Sequence, residues 1–326
     1  MTRERSVPGE SVGSVVAARP ELGGAAATPS FTLPAGAPEG LPAGLGETRI
    51  GPRTFRWGER TFVMGILNVT PDSFSGDGLL ARSSDDGPRA SGVAEAVAQA
   101  RAMAEAGADL LDVGGESTRP GHEEVDAAQE AQRVIPVIRA VRDALPDMPL
   151  TVDTTKPAVA AAALDAGANA INDVWGVAPD DALSRLAGER GVPIVLMHNR
   201  PEPRYVNLLA EIVADLQRAI ERTLAAGVPW ANVLVDPGFG FGKTPEQNLA
   251  LLHELASLRL LGRPIVLGAS RKSTLGKVLD LPADQRVEAT LATTALGIAA
   301  GVDIVRVHDV RENVRAARIA DAVTRR

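Results

Sequence analysis

The stretch Asp165-Ala-Gly-Ala-Asn-Ala-Ile-Asn-Asp173 joins a helix-like segment to a strand-like one through a glycine, and the chain repeats this junction. Earlier in the sequence, Glu105-Ala-Gly-Ala-Asp109 has the same order of residue types ahead of another apolar run. Glycine can end a helix in a left-handed conformation that other residues avoid. The junction therefore marks a repeating unit in which a helix ends and a strand begins.

Eight short runs of β-branched and aliphatic residues predict strands. They are 62–68, 109–114, 150–154, 170–174, 193–198, 232–236, 264–268 and 303–308. The segments between them show apolar residues at helical spacing and are too long for hairpins, so the strands are expected to run parallel. Eight such units suit closure into an α/β fold, the (β/α)8 TIM barrel, with an open doubly wound sheet as the alternative.

The first fifty residues differ in composition from the rest of the chain. Residues 1–50 contain six prolines and eight glycines with little apolar periodicity, which predicts a disordered extension. Residues 51–326 are then the barrel domain. Residues 55–60 alternate around Gly58, and we expect them to form a small hairpin that closes the bottom of the barrel.

Composition excludes several classes of protein. Of the 326 residues, 45% are hydrophobic and 23% are charged, and no apolar run is long enough for a membrane span. The net charge is -7 and no basic block is interleaved with aromatic residues, so we expect no nucleic-acid partner. There are no cysteines, and the start of the chain has no continuous apolar stretch typical of a secretory signal. We therefore expect a cytoplasmic protein without a membrane partner.

Polar side chains follow every predicted strand. In a barrel the carboxyl ends of the strands surround one opening, and active sites lie there. Any one of these residues is more simply explained as a helix cap, but eight polar strand ends together indicate a shared ligand site. In chain order they are Asn68; Asp112, Glu116, Thr118 and Arg119; Asp153; Asn172 and Asp173; His198; Asp236; Ser270, Arg271 and Lys272; and Arg306, His308 and Asp309.

Two subsets of these residues have distinct chemistry. Asp153, Asn172 and Asp236 offer acceptors and one amide, which suit a neutral heterocycle with an amino group and ring N–H donors. Cationic residues follow the seventh and eighth strands, where these barrels frequently bind phosphate. These residues are Lys272, Arg306 and His308. Together with Asn68 and Thr118 they would form a pocket for a phosphorylated group and Mg²⁺.

Ordered motifs across about residues 62 to 323 give a specific resemblance. The chain resembles the dihydropteroate synthase family in eight stretches: Met64-Gly-Ile-Leu-Asn-Val-Thr-Pro-Asp-Ser-Phe-Ser75, Asp112-Val-Gly-Gly-Glu-Ser-Thr-Arg-Pro-Gly121, Val152-Asp-Thr-Thr-Lys-Pro157, Ile171-Asn-Asp173, Leu196-Met-His198, Asp236-Pro-Gly-Phe-Gly-Phe-Gly-Lys243, Ser270-Arg-Lys-Ser273 and Arg306-Val-His-Asp-Val310. One such string could mislead, whereas eight in this order are specific.

The resemblance implies a transferase of folate synthesis that uses Mg²⁺. Such an enzyme condenses 6-hydroxymethyl-7,8-dihydropterin diphosphate with p-aminobenzoate and releases diphosphate. By position in the motifs, the pterin residues would be Asp153, Asn172, Asp236 and Lys272. The diphosphate residues would be Asn68, Thr118, Arg306 and His308, with Asn68 at the metal. The p-aminobenzoate residues would be Phe74, Arg119, Pro120, Phe241 and Ser273.

The reaction type assigns catalytic work to four of these residues. If the C–O bond to diphosphate breaks first, a carboxylate such as Asp153 would stabilise the cation on the pterin, and cationic groups would stabilise the leaving anion. The catalytic set is then Asp153, Lys272, Arg306 and His308. The glycine-rich loops 73–91 and 114–121 are candidate lids that exclude water.

Two other functions fit part of the pattern. A pterin-binding methyltransferase domain would use similar Asp and Asn positions, but it would have no use for an anion clamp made of Ser270-Arg-Lys272 and Arg306-Val-His308. A non-catalytic relative would bind pterin without turnover. The resemblance also implies a homodimer through outer helices, for which the alanine-rich segment 289–300 is a candidate, although ordinary packing explains that segment equally well.

Overall fold

The computed structural model describes residues 44–69, 90–116 and 125–325. It contains a two-stranded antiparallel hairpin, β1 (Glu47–Ile50) and β2 (Arg53–Arg56), followed by eight parallel strands. These are β3 (Phe62–Asn68), β4 (Leu110–Gly114), β5 (Leu150–Asp153), β6 (Ala170–Asp173), β7 (Ile194–Met197), β8 (Val233–Asp236), β9 (Val266–Leu267) and β10 (Ile304–Val307). All eight predicted strands are confirmed.

The eight parallel strands form a barrel. Their order in the sheet is β8, β7, β6, β5, β4, β3, β10, β9, so each strand lies beside its neighbour in sequence and β3 lies beside β10. The ring is closed between its two ends by a parallel bridge of Val235 to Ile265. The predicted (β/α)8 barrel is therefore confirmed, and the open doubly wound sheet is excluded.

Helices follow the barrel strands on the outside. They are α1 (Ala90–Glu105), α2 (Ala127–Ala144), α3 (Pro157–Asp165), α4 (Ala182–Arg190), α5 (Leu208–Ala225), α6 (Pro245–His253), α7 (Ser273–Leu279), α8 (Val287–Ala299) and α9 (Val310–Thr324). Two helices, α7 and α8, follow β9, whereas one follows each of the other strands among the described residues. None of the helices in the described part of the chain is both long and apolar enough to span a membrane.

The repeated glycine junction ends helices as the sequence predicts. Gly107 has a φ of +101° and Gly167 a φ of +113°, in the region that favours glycine. After α1, the N–H of Gly107 donates to the Ala104 carbonyl and the N–H of Ala108 to the Met103 carbonyl, which is the paired bonding of a Schellman cap. These bonds satisfy the last carbonyls of the helix and turn the chain back into the next strand.

The hairpin is not where the sequence predicted it. Residues 55–60 were expected to turn at Gly58, but the turn lies at Gly51 and Pro52, and β2 ends at Arg56. Its partner strand, Glu47–Ile50, belongs to the segment assigned to the extension, so the boundary at residue 50 divides the hairpin. Residues 1–43 of that extension lie outside the described residues.

The hairpin fills the amino-terminal end of the barrel. Phe55 is 2% exposed, and its ring lies 4.8 Å from that of Phe62 and 5.8 Å from that of Trp57. Inside the barrel these rings pack against residues of the strands, such as Leu110 and Ile304. A second, larger core lies between the barrel and the helices. Because the bottom is plugged, the open end of the barrel is the carboxyl end of the strands.

Candidate active site

A buried ion-pair cluster lies at the carboxyl end of the barrel, centred on Arg306 of β10. Arg306 Nε donates to Asp112 Oδ2 at 2.6 Å, and Arg306 Nη2 donates to Asp153 Oδ2 at 2.7 Å. Asp112 is fully buried, and the Arg306 side chain is 16% exposed. A guanidinium can serve two carboxylates because its N–H groups are fixed in one plane. The cluster therefore joins β10 to β4 and β5 across the barrel.

Asp112 is the acceptor that the other side chains share. Its Oδ2 also accepts from Asn172 Nδ2 at 2.9 Å, and its Oδ1 accepts from the Thr151 hydroxyl. Both oxygens thus have protein donors, so Asp112 positions Arg306 and Asn172. The sequence placed Asp112 among the polar strand ends but gave it no role. The signal was present, since Asp112 is a charged residue inside an otherwise apolar strand.

Asp153 has one oxygen without a partner. Its Oδ1 is buried and receives no hydrogen bond within the described part of the chain. Burial raises the pKa of Asp153 to about 7; Arg306 opposes that shift and Asp112 adds to it. A buried acceptor without a donor is costly unless a ligand supplies one. Asp153 Oδ1 is therefore a buried acceptor at the carboxyl end of the barrel that a ligand N–H would satisfy.

Asp236, Lys272 and Arg306 converge around Gly268. A methyl group placed at Gly268 would lie 3.8 Å from Asp236 Oδ2, 3.8 Å from Lys272 Nζ and 3.9 Å from Arg306 Cβ. Asp236 Oδ1 accepts from the Gly238 N–H at 2.7 Å, which orients the carboxylate. Burial raises the pKa of Asp236, while Lys272 opposes that shift. The structure thus brings together residues that are far apart in sequence.

Lys272 precedes α7 and contacts the turn after β8. Its ammonium lies 4.1 Å from the centre of the Phe241 ring and donates to the Phe239 carbonyl. Burial lowers the pKa of Lys272 to about 7, although Asp236 favours its charged form. Arg271, immediately before it, has a φ of +57° and pairs with Asp309 at 2.6 Å. This strained residue turns the chain so that Lys272 faces the cluster.

The predicted diphosphate residues lie at the same end of the barrel where they are described. Asn68 ends β3, and a methyl group at Gly114 would lie 3.8 Å from Asn68 Oδ1 and 3.5 Å from Asp153 Cβ. His308 follows β10, and its Nδ1 lies 3.0 Å from Ser270 Oγ. Two nitrogens of Arg306, Nε and Nη2, donate to carboxylates. Its Nη1 has no acceptor among the described contacts and could donate to an anion.

The predicted p-aminobenzoate residues are only partly described. Phe241 is half-buried against Lys272, and Ser273 is exposed at the start of α7. Phe74, Thr118, Arg119 and Pro120 lie outside the described residues, as does most of the two predicted lid loops.

His198, which the sequence analysis places among the polar strand ends, pairs with residues other than those of the Arg306 cluster. It is fully buried, with Nε2 3.2 Å from Asp215 Oδ2 and Nδ1 3.1 Å from Lys243 Nζ. Burial and the neighbouring Lys243 lower the pKa of His198 to about 3, so its imidazole is neutral. Sequence reasoning missed the roles of Asp215 and Lys243, because neither ends a strand.

A second buried ion cluster holds Glu116, just after the end of β4. Lys156 Nζ donates to Glu116 Oε2 at 2.5 Å and to the fully buried Glu130 at 2.8 Å. Glu116 Oε1 also accepts from the Val125 N–H at 2.9 Å. This cluster ties the ends of a loop segment to the turn that follows Asp153.

Within the described ranges there is no group of three or more acidic or histidine side chains that would hold a metal ion. Asn68 offers one amide oxygen close to Asp153. Magnesium in phosphate sites commonly takes one or two protein ligands and completes its shell with phosphate oxygens and water. Among the described residues, the donor set therefore fits a magnesium ion that would be bound together with a diphosphate.

Comparison with known proteins agrees with this geometry. Residues 64–308 match the family described as pterin-binding enzymes, and the chain belongs to that class. A dihydropteroate synthase of Clostridium beijerinckii is 47% identical over 279 residues, which cover 85% of this chain and all of that protein. One from Bacillus subtilis is 46% identical over 272 residues, covering 83% of this chain and 92% of that protein.

Solved structures show the same similarity. The dihydropteroate synthase of Clostridium difficile, determined in the presence of pteroic acid, superposes with a TM-score of 0.78 at 45% identity, covering 83% of this chain and all of that one. The Xanthomonas albilineans enzyme with 4-aminobenzoic acid gives 0.77 at 40% identity, covering 85% of this chain and 97% of that one. This chain belongs to the dihydropteroate synthase family, so it is a transferase of folate biosynthesis.

Proposed function

We propose that the ion-pair cluster binds the pterin ring of 6-hydroxymethyl-7,8-dihydropterin diphosphate. The observation that carries this proposal is the buried Asp153 Oδ1 without a donor. The amino group and ring N–H of a pterin are donors that this oxygen lacks. Asn172 and Asp236 supply further amide and carboxylate groups, and Lys272 supplies an ammonium for the ring carbonyl. These four residues form the pterin site.

The same carboxylate has a role in the reaction. The C–O bond to diphosphate breaks and its electron pair leaves with the diphosphate, so positive charge develops on the exocyclic methylene and the ring. Asp153 stabilises that charge because it is negative and fixed by Arg306. The p-aminobenzoate nitrogen then forms the C–N bond with its lone pair and releases a proton to solvent. No protein nucleophile is required.

The leaving diphosphate would be held by Asn68, Thr118, Arg306 and His308. Among the described contacts Arg306 Nη1 has no acceptor, and it would make a charge-assisted bond to a phosphate oxygen. A magnesium ion would neutralise part of the diphosphate charge when bound, with Asn68 as its protein ligand. Arg306 and His308 belong to the cationic strand-end residues for which the sequence predicts a phosphorylated ligand.

The p-aminobenzoate would bind beside Phe241, at the outer edge of the pterin site. Phe241 lies over the Lys272 ammonium, so its ring is fixed next to the pterin position. Ser273 and the residues Phe74, Arg119 and Pro120 would complete this subsite. The loops 73–91 and 114–121 would exclude water while the cation exists.

We also propose that the protein works in the cytoplasm as a homodimer.

Asp153→Asn tests the central assignment. The substitution keeps the shape of the side chain but removes its charge, so kcat should fall by about 10²-fold to 10³-fold. Diphosphate release from the purified protein, supplied with both substrates and Mg²⁺, measures this effect. Chelation with EDTA should abolish turnover, and added Mg²⁺ should restore it. If Asp153→Asn turns over as fast as the wild-type protein, the role of Asp153 is wrong. If the wild-type protein binds the pterin but does not release diphosphate, the protein is a non-catalytic binder.

A further inference from the structure

The turn after β8, residues 237–243, carries groups from two sides of the site. Its Phe239 carbonyl accepts from Lys272, and its Phe241 ring lies 4.1 Å from the same ammonium. The turn begins directly after Asp236, whose carboxylate accepts from the Gly238 N–H. The position of Phe241 therefore depends on the conformation of this turn, which we call the 237–243 turn.

Lys243 fills the inside of the 237–243 turn. Its Nζ donates to the Gly238 carbonyl at 3.0 Å and to the Phe241 carbonyl at 3.0 Å, and it lies 3.1 Å from His198 Nδ1. An ammonium has three N–H donors and no acceptor, so these three acceptors match it completely. Lys243 thus fixes the two ends of the turn relative to each other and holds the carbonyl of Phe241 itself.

The imidazole that receives Lys243 is itself held in place. Because the Lys243 ammonium can only donate, His198 Nδ1 accepts and the proton of the neutral ring lies on Nε2. Nε2 then donates to Asp215 Oδ2, which also accepts from Arg200 Nη2 at 2.7 Å. The chain of contacts runs from the half-buried pair of Arg200 and Asp215 through the buried ring to the 237–243 turn. Each member has one orientation that satisfies its neighbours.

The turn also packs directly on the chain after β7. Gly238 has a φ of +70°, and a methyl group there would lie 1.8 Å from the His198 carbonyl oxygen. Two further bonds hold the outside of the turn, from Gly240 N–H to Asn248 Oδ1 at 2.6 Å and from the Tyr205 hydroxyl to the Gly242 carbonyl at 2.8 Å. These contacts do not involve Lys243, so they would keep the outside of the turn in place without it. Removal of Lys243 would then loosen only the inside of the turn, where it holds the carbonyls of Gly238 and Phe241, and the barrel would stay folded.

We propose that Lys243 is a positioning residue for p-aminobenzoate: its ammonium, oriented by His198, holds the 237–243 turn so that the Phe241 ring stays beside the pterin site. This inference rests on the proposed place of p-aminobenzoate against Phe241. The three side chains of the Arg306 cluster on β4, β5 and β6, Asp112, Asp153 and Asn172, have no hydrogen bond with Lys243 among the described residues. Asp236 and Lys272 do contact the same turn, through the Gly238 N–H and the Phe239 carbonyl, whereas Phe241 is part of it. Loss of Lys243 should therefore affect the second substrate more than the first.

Steady-state kinetics of the full chain test this inference with Lys243→Met. Methionine has a similar length but donates no hydrogen bond, so the KM for p-aminobenzoate should rise about tenfold or more. The KM for the pterin diphosphate should change by less than about threefold. Lys243→Gln, which keeps two N–H donors, should show a smaller rise. Lys277→Met removes an exposed ammonium from α7 and is the matched control, with kinetics like those of the wild type.

Histidine NMR tests the contact between Lys243 and His198 in solution, and the split between the two KM values tests the positioning role. His198 faces Lys243, Asp215 and Arg200, and Lys243 is one cause of its lowered pKa. Removing Lys243 should therefore raise the pKa of His198, so one of the four histidines begins to titrate at higher pH in Lys243→Met. The same histidine should keep its low pKa in Lys277→Met.

The outcomes separate this inference from the proposal on which it rests. Phe241→Ala should raise the KM for p-aminobenzoate whether or not Lys243 matters. If Phe241→Ala has this effect and Lys243→Met does not, the role of Lys243 is wrong and the place of p-aminobenzoate stands. If Phe241→Ala has no effect, both are overturned. Failure of both Lys243 variants to fold, measured by circular dichroism, would also overturn the inference, because Lys243 would then be required for the fold itself.

Discussion

At the residue scale, the same burial shifts two neighbouring groups in opposite directions. Burial disfavours charge, so it raises the pKa of Asp153 to about 7 and lowers the pKa of Lys272 to about 7. Arg306 opposes the first shift and Asp236 the second. The pterin site is therefore fully charged only where Asp153 has lost its proton and Lys272 has kept its own.

The affinity for the pterin ring should accordingly have a maximum near neutral pH. Below about pH 7 Asp153 takes up a proton and loses an acceptor, and above about pH 7 Lys272 loses its proton and its charge. Titration calorimetry with 6-hydroxymethyl-7,8-dihydropterin, which has no phosphate to titrate, measures both limbs. Lys272→Arg should move only the alkaline limb to higher pH, because a guanidinium stays charged.

Two results would contradict this assignment. An affinity that stays constant from pH 6 to pH 8 would show that neither group titrates in that range. An alkaline limb that is unchanged in Lys272→Arg but moves in Lys243→Arg would assign that limb to Lys243, whose pKa burial also lowers to about 7.

At the scale of elements, the sequence predicts repeats better than it predicts single short strands. The eight barrel strands were predicted because each is a short run of β-branched and aliphatic residues, and several of them follow a helix that ends at a glycine, as at Gly107 and Gly167. The strand Glu47–Ile50 was missed because it has four residues and follows a glycine-rich and proline-rich segment. Alternation around Gly58 then suggested a hairpin that lies several residues too far along the chain.

The same limit applies to the site. Strand-end positions predicted that Asp153, Asn172 and Asp236 would lie together, since a closed barrel brings strand ends to one opening. The pairing of Arg306 with Asp112 joins residues 194 positions apart, and the sequence carries no signal for which cation meets which carboxylate. The Lys243 and His198 pair was missed for the same reason. Topology is therefore predictable here, whereas side-chain pairing is not.

The β1–β2 hairpin should contribute to stability without affecting the reaction. Phe55 is buried among aromatic rings at the closed end of the barrel, so Phe55→Ala should lower the free energy of unfolding by about 3 to 5 kcal/mol. Urea unfolding measures this loss. Both KM values should stay unchanged, because the proposed substrate site lies at the opposite end of the barrel. Leu249→Ala, at a side chain 43% exposed on α6, is the control and should cost less than about 0.5 kcal/mol.

A change in either KM in Phe55→Ala would contradict this separation of roles. It would show that the hairpin and the strand ends are coupled through the barrel interior. Stability close to that of the wild type would instead show that the hairpin is not part of the cooperative core.

At the scale of the whole molecule, apolar side chains remain exposed on the last two helices. Leu296 of α8 is 57% exposed, and Ile319 and Val323 of α9 are 71% and 64% exposed. Ile319 and Val323 are four residues apart, so they share one face of α9. The alanine-rich segment predicted as a dimer contact includes Leu296. The proposed homodimer would bury this surface, and its position away from the strand ends leaves the active site accessible.

Ile319→Arg tests that interface. An arginine would place an uncompensated charge in an apolar contact, so the dimer should dissociate to monomers in light scattering coupled to size exclusion. Val206→Arg, at an exposed valine between β7 and α5, is the matched control and should leave the association state unchanged. If the wild-type chain is monomeric, the homodimer is wrong. If it is dimeric and Ile319→Arg stays dimeric, the interface lies on another face, because a buried arginine without a partner would not be tolerated on this one.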